Sequence, residues 1–341
     1  RAEVGLLTRN VVVQGDDTTD AQQFGCQIIF ASSQIYDDSI IARLSNIEVR
    51  RAGQGLKLGK YPIHFHMVGN APKSSIRNCT VHHANNRAIA LHGVNQVHVE
   101  WNVVFDTRGH AIFLEDGTEI RNVLAHNLVA VVRPIGSLLL VDQSPAAYWI
   151  VNPDNDVYNN IAAGSSHYGF WYRALEHPDG VSGQRHRDMN ILSCPMYTPL
   201  GLFYGNVAHS TRRHGLKVSD YFPAVGGADC ATDTFGSPAT FADFVGYNNG
   251  RFGVWGEFLV DVNFDGLRIL NPGIGGIEFL YVNGRGSEFA KSRITRSLFV
   301  GRTTEMATAG PGDMCEGLQD VNGAVSFLWN PFRPVYLHRF A

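Results

Sequence analysis

The hexapeptide Tyr61-Pro62-Ile63-His64-Phe65-His66 does not stand alone in this chain. Its strand returns as Ala88-Ile89-Ala90-Leu91-His92 and again as Ala111-Ile112-Phe113-Leu114-Glu115. Superposing Ile63, Ile89 and Ile112 brings Phe65 level with Leu91 and Leu114, and His66 level with His92 and Glu115. Neighbouring parallel strands lie about 4.8 Å apart. Copies stacked in register therefore place two imidazoles and a carboxylate in one column. Strand alternation sends Ile63, Phe65, Ile89, Leu91, Ile112 and Leu114 inward, and turns His64, His66, Ala90, His92, Phe113 and Glu115 outward.

Working outward, a shorter phrase, Asn-x-x-apolar, starts at Asn46, Asn78, Asn102, Asn122, Asn160 and more weakly Asn206. From Asn78 to Asn102 is 24 residues and from Asn102 to Asn122 is 20, the length of one short coil. Larger intervals imply loops inserted at a corner. The strands are short and β-branched, Asn and Gly punctuate them, and the chain holds 36 glycines. Amphipathic helical stretches that would make βαβ units are missing. The pattern predicts an all-β chain folded as a right-handed parallel β-helix with inserted loops, ahead of a propeller or sandwich. Asn46, Asn78, Asn102 and Asn122 are expected to point inward as a hydrogen-bonded ladder. An inward Asn78 would close the formal glycosylation sequon Asn78-Cys79-Thr80.

Composition narrows the function classes. A net charge of −3 gives no argument for nucleic acid or an anionic membrane surface. No apolar run approaches the roughly 18 residues of a spanning helix, so no membrane insertion by this segment is expected. The chain starts at Arg1 and reads as a piece of a longer protein. Its five cysteines form no C-x-x-C pair, which leaves a zinc ribbon unsupported. Cys194 and Cys230 flank a loop-rich stretch and suit either a disulfide or two buried thiols.

The His66, His92 and Glu115 column carries the sharpest chemistry. With His64 added, these residues suit a divalent metal ion, since imidazoles and a carboxylate favour one, and Asp116 can orient a ligand. Without metal, His66, His92, Glu115 and Asp116 can form an acid-base set. The plainer alternative is a stacked structural ladder under a loop. Arg87, Arg108, Trp171 and Arg173 are candidate contacts for an acidic polysaccharide, with Trp171 part of an aromatic concentration that includes Tyr148, Trp149, Tyr168, Phe170 and Tyr172.

These residues fall into longer phrases. Glu3-Val4-Gly5-Leu6-Leu7-Thr8-Arg9-Asn10, Tyr61 to His66, Arg87 to His92, Glu115-Asp116-Gly117 and Pro145 to Trp149 are among them. Gly169 to Arg173 with His177-Pro178-Asp179-Gly180, and Pro199-Leu200-Gly201, continue the series. Together they resemble the β-helix region that follows a G8 domain in fibrocystin-L-like proteins and their relatives, the cell-surface hyaluronidases. The match is good over about residues 1–220 and thins afterwards. It implies an extracellular ectodomain, associated in that family with ciliary coats, and favours a Cys194–Cys230 disulfide. It implies that 1–40 hold the end of a G8-like region and a first coil, 41–300 the β-helix, and 301–341 a C-terminal coil or cap. Two functions follow. One is a non-catalytic surface module binding an extracellular polysaccharide or surface-coat proteins. The other is a metal-assisted, hyaluronidase-like enzyme. An enzyme needs an open groove beside the column, whereas a scaffold buries it with every nitrogen satisfied.

Overall fold

The computed structural model describes residues 3–136, 140–223, 230, 237–282, 292–301 and the backbone of 326–327. Strands stack into three parallel sheets of ten, ten and nine strands. The chain winds through them in a fixed order: Ile47–Arg50 in the first, Ile63–Asn70 in the second, Ser75–Arg77 in the third, then Thr80–Ala84 back in the first. This is a right-handed parallel β-helix. Its backbone hydrogen bonds run along the long axis from coil to coil.

The second sheet carries the hexapeptide and keeps the expected register. Ile28, Ile63, Ile89, Ile112, Tyr148, Phe170, Leu216, Val254 and Ile277 are successive partners along it. From Ile63 onward every member of that column is fully buried. Phe65, Leu91 and Leu114 are also fully buried, as strand alternation requires. The sequences around Gly253, Gly275 and Ile294 form further coils, with strands Phe252–Leu259, Gly275–Val282 and Ile294–Thr295. Beyond 301, only the strand Ser326–Phe327 of the expected C-terminal coil or cap falls within the described residues.

The asparagine ladder needs a correction. Asn102, Asn127, Asn160 and Asn206 form it, each side-chain amide donating to a backbone carbonyl and to the next carboxamide oxygen, or to the carbonyl alone at Asn206. Asn122 belongs to a second ladder with Asn155, in the third sheet. Asn46 and Asn78 belong to neither; both are exposed. Val49 pairs with Val81 and Val81 with Val104, which aligns Asn46 and Asn78 with Trp101 and not with Asn102. That corner takes left-handed backbone, φ 56°, 54° and 59° at Asn46, Asn78 and Trp101. Asparagine tolerates this conformation better than other non-glycine residues, so it occurs at two adjacent positions for two reasons.

Two long insertions flank strands of the second sheet, one before its strand and one after. One, after Arg133, returns at Ala146–Ile150; the other, after Arg173, holds the helix Gly180–Asp188 and ends near Phe203–Tyr204. Cys194 and Cys230 form a disulfide with Cα atoms 5.5 Å apart, which ties the second insertion to a later one. Tyr197, Phe222 and Val260 pack around it. Cys26 and Cys79 are unbonded. Among the described residues, no helix is long and apolar enough to cross a membrane.

Candidate active site

His66 and His92 are register partners, and the backbone N–H of Glu115 donates to Leu91 O, so the expected column exists. Ring nitrogens decide what it can do. His64 Nδ1 lies 3.0 Å from Gly59 O. A carbonyl only accepts, so Nδ1 carries the proton and Nε2 carries a lone pair. That Nε2 is buried and has no hydrogen-bond partner. His92 Nε2 lies 2.9 Å from Asp116 Oδ2, which likewise makes it the donor. His92 Nδ1 faces His66 Nδ1 at 3.2 Å.

His64, His66 and His92 each offer one ring nitrogen within 4.8 Å of the other two. Two nitrogens on one tetrahedral zinc-like ion sit about 3.3 Å apart, from bonds of about 2.0–2.1 Å. The 3.2 Å between the Nδ1 atoms of His66 and His92 matches that spacing. The outer nitrogens of His64 and His92 are held by a carbonyl and a carboxylate, the usual orienting partners of metal-bound imidazole. The residues therefore fit a divalent ion. Glu115, expected as a fourth ligand, stands beside this triad. Its Oε1 accepts from Tyr61 OH at 3.1 Å and faces Arg87 Nη1 at 3.5 Å. Its buried Oε2 has no hydrogen-bond partner and lies 3.7 Å from His92 Nδ1.

The electrostatics separate these groups. Burial pushes His64 down to about 3 and also lowers His66. Burial works against charge on His92 too, but its hydrogen bond to Asp116 and the nearby Glu115 hold it up at about 9. Burial raises the Glu115 carboxyl above its ordinary range, although His92 and Arg87 oppose this. Asp116 is lowered despite burial, by His92 and by the N–H and hydroxyl of Ser182. Ser182 lies in the first turn of helix Gly180–Asp188, whose N-terminus favours an anion. Gly180 has φ 60°, and a Cβ there would collide with the Asp116 carboxylate, so this helix approach requires glycine.

The triad opens on a cavity of about 440 Å3. Leu58 and Gly59 line one side, Val141 and Leu175 come from the insertions, and Asp179 to Val181 from the helix start. Phe113, Trp149, Glu115, Asp116 and Arg173 complete the wall. Trp149 is 2% exposed and its indole Nε1 has no hydrogen-bond partner.

The remaining candidates scatter. Arg173 lines the cavity. Trp171 is boxed by Trp149, Tyr168 and the ammonium of Lys217. Arg108 lies at the end of a strand in the first sheet, off the histidine face. Arg87 is 1% exposed and bidentate to Asp142 at 2.9 and 2.7 Å, with Nη1 also 2.7 Å from Tyr61 OH. It braces Glu115 from within the protein. Sequence reasoning missed Tyr61, Asp142 and Gly59. Tyr61 opens the hexapeptide itself and was legible there, whereas Asp142 meets Arg87 across 55 residues and an insertion, which no spacing announces.

Comparison with known proteins agrees with this architecture. The family model described as CEMIP beta-helix matches residues 23–216. Human fibrocystin-L is 34% identical over 81% of this chain, which spans 7% of that protein's length. Human cell surface hyaluronidase CEMIP2 is 35% identical over 64% of the chain and 18% of its own length. The mouse cell migration-inducing and hyaluronan-binding protein is 30% identical over 92% of the chain and 27% of its own length. The chain belongs to the CEMIP β-helix family.

Proposed function

We infer that this β-helix is the carbohydrate-active module of a cell-surface protein and cleaves an acidic polysaccharide with the help of a divalent metal. The observation that carries the reading is the cavity of about 440 Å3 into which the histidine triad opens. Three polar atoms of cavity-lining residues, His64 Nε2, Glu115 Oε2 and Trp149 Nε1, are buried without hydrogen-bond partners. Each orphaned polar group costs about 1–3 kcal/mol, and a ligand in the cavity would meet these three. Relatives named for hyaluronidase activity and hyaluronan binding support a polysaccharide as the substrate class.

His64, His66 and His92 would hold the ion, which supplies Lewis acidity and an activated water when bound. Asp116 fixes the tautomer and rotation of His92 through Nε2. Glu115, its carboxyl raised by burial, would donate a proton to a leaving sugar oxygen. Tyr61 and Arg87 hold its other oxygen in place. Arg173 on the cavity wall offers a guanidinium to a sugar carboxylate.

The test is incubation of the chain with hyaluronan and other acidic glycans, with added zinc or with chelator. Shortened chains that need metal, and are lost in His66→Ala with His92→Ala, are expected. Protein that retains glycan but never shortens it even with zinc added would make this a binding module.

A further inference from the structure

We propose that Asn78 carries an N-linked glycan whose first sugar lies against the indole of Trp101. Asn78-Cys79-Thr80 is the chain's single Asn-x-Ser/Thr sequon. The inward placement expected for Asn78 would have forbidden its use, and the structure removes that objection. Asn78 is exposed at the corner between the third and first sheets, with φ 54°. Its backbone is engaged, N–H donating to Glu100 O and the carbonyl accepting from Arg9 Nε. Among the described residues its carboxamide has no hydrogen bond.

The neighbour in the next coil supplies the second observation. Asn78, Trp101 and His126 occupy the same corner position, each N–H donating to the following coil at Glu100, Ala125 and Tyr158. Trp101 is 57% exposed, an uncommon cost for an indole. It stacks on His126 with centroids 4.1 Å apart and planes 4° from parallel. One indole face is thus taken on the His126 side, and the other turns toward the coil of Asn78. Coils lie about 4.8 Å apart, so a sugar on Asn78 is placed over that free face. The C–H edge of a pyranose complements the negative face of an aromatic ring.

Thr80 is fully buried and its hydroxyl donates to Leu6 O. The sequon can therefore be read only before this coil folds, during export. In that step Asn78 Nδ2 attacks the anomeric carbon of an oligosaccharide carried on a lipid pyrophosphate. The new C–N bond replaces the C–O bond to phosphate, the lipid pyrophosphate departs, and Nδ2 gives up one proton. The glycan corner is opposite the second sheet, so it leaves the histidine cavity clear. The inference rests on the cell-surface reading, which requires passage through an oxidising secretory compartment, and the Cys194–Cys230 bond reports on that passage in the same sample.

The experiment is mass spectrometry of the full chain secreted from cultured eukaryotic cells, on the peptide running from Asn78 to Arg87. A glycopeptide is expected, whose Asn78 side chain becomes a carboxylate carrying heavy oxygen when the glycan is released enzymatically in labelled water. Bare Asn78 in protein whose disulfide has formed overturns this inference alone. Bare Asn78 with free Cys194 overturns it together with the surface reading. The sugar–indole contact is tested by a double-mutant cycle. Loss of the glycan in Asn78→Gln should lower Tm by about 2 °C more with Trp101 present than in Trp101→Ala. Equal losses would remove the contact.

Discussion

The asparagine ladder and the histidine triad are built by the same device and end in opposite states. Both stack polar side chains on successive coils, and both are largely buried. In the ladder, Asn127 Nδ2 donates to Val99 O and Asn160 Oδ1, while its own Oδ1 accepts from the N–H and Nδ2 of Asn102. Both side-chain heteroatoms are matched within the protein. In the triad, His64 Nε2 has no partner, and two Nδ1 atoms face each other at 3.2 Å. Stacking alone therefore does not distinguish structure from chemistry. Unmatched nitrogens beside a cavity do, since burial without a partner is tolerated where a ligand is to be met.

The largest expected effect breaks the complete side of this contrast. Asn127→Ala strips the acceptor from the Asn102 backbone N–H and from one hydrogen of its side-chain amide, and takes one donor from the Val99 carbonyl. At about 1–3 kcal/mol for each of these two buried donors, the loss should reach about 2–6 kcal/mol. A urea melt with unchanged slope and a lower midpoint would measure it. His64→Leu probes the incomplete side. It deletes one orphan, creates another at Gly59 O, and roughly conserves volume, so it should cost less than about 1.5 kcal/mol. Zinc affinity by titration calorimetry should nonetheless fall more than about tenfold. If His64→Leu unfolds the protein as readily as Asn127→Ala, the histidines are structural and the contrast fails.

Much of this was legible in the sequence, for a physical reason. A period of two in the strands and a coil length near 20 residues fix register, so Ile63, Ile89 and Ile112 could be aligned by eye. The same reading slipped by one residue at Asn46 and Asn78, because asparagine suits both a left-handed corner and the inward position after it. At that corner Trp101 shows that the alignment should have followed Val49, Val81 and Val104, whose burial is not ambiguous. The triad was half visible. His66 and His92 follow from register, whereas the role of His64 depends on Gly59 O, and that of Glu115 on Arg87 and Tyr61. Gly59 comes from a loop, where no periodicity constrains the chain. Tyr61 and Arg87 each sit two residues before an aligned isoleucine, and only their contacts with Glu115 were hidden.

Lys217 offers the smallest and sharpest refinement, because it is a half-buried polar group completed by neither route. It lies between Trp171 and Trp255 in the outward column of the second sheet. Its Nζ is 4.1 Å from the Trp171 ring centroid, 4.9 Å from that of Trp255 and 5.0 Å from that of Tyr168. Among the described residues it makes no ion pair. Burial lowers its pKa from the ordinary 10.5 to about 8, with Glu257 pulling the other way. Between these values the unfolded chain binds the extra proton, so stability rises as pH climbs from about 8 to 10.5. The three rings attract the ammonium and oppose its desolvation, which trims the span to about 1 kcal/mol. Lys217→Met should therefore be the more stable protein below pH 8, with its advantage shrinking to nothing by pH 10.5. Paired thermal melts across that range measure the difference. A constant gap would mean that the rings fully replace water around the charge, and that aromatic faces complete a polar group on this sheet as well as amides do in the ladder.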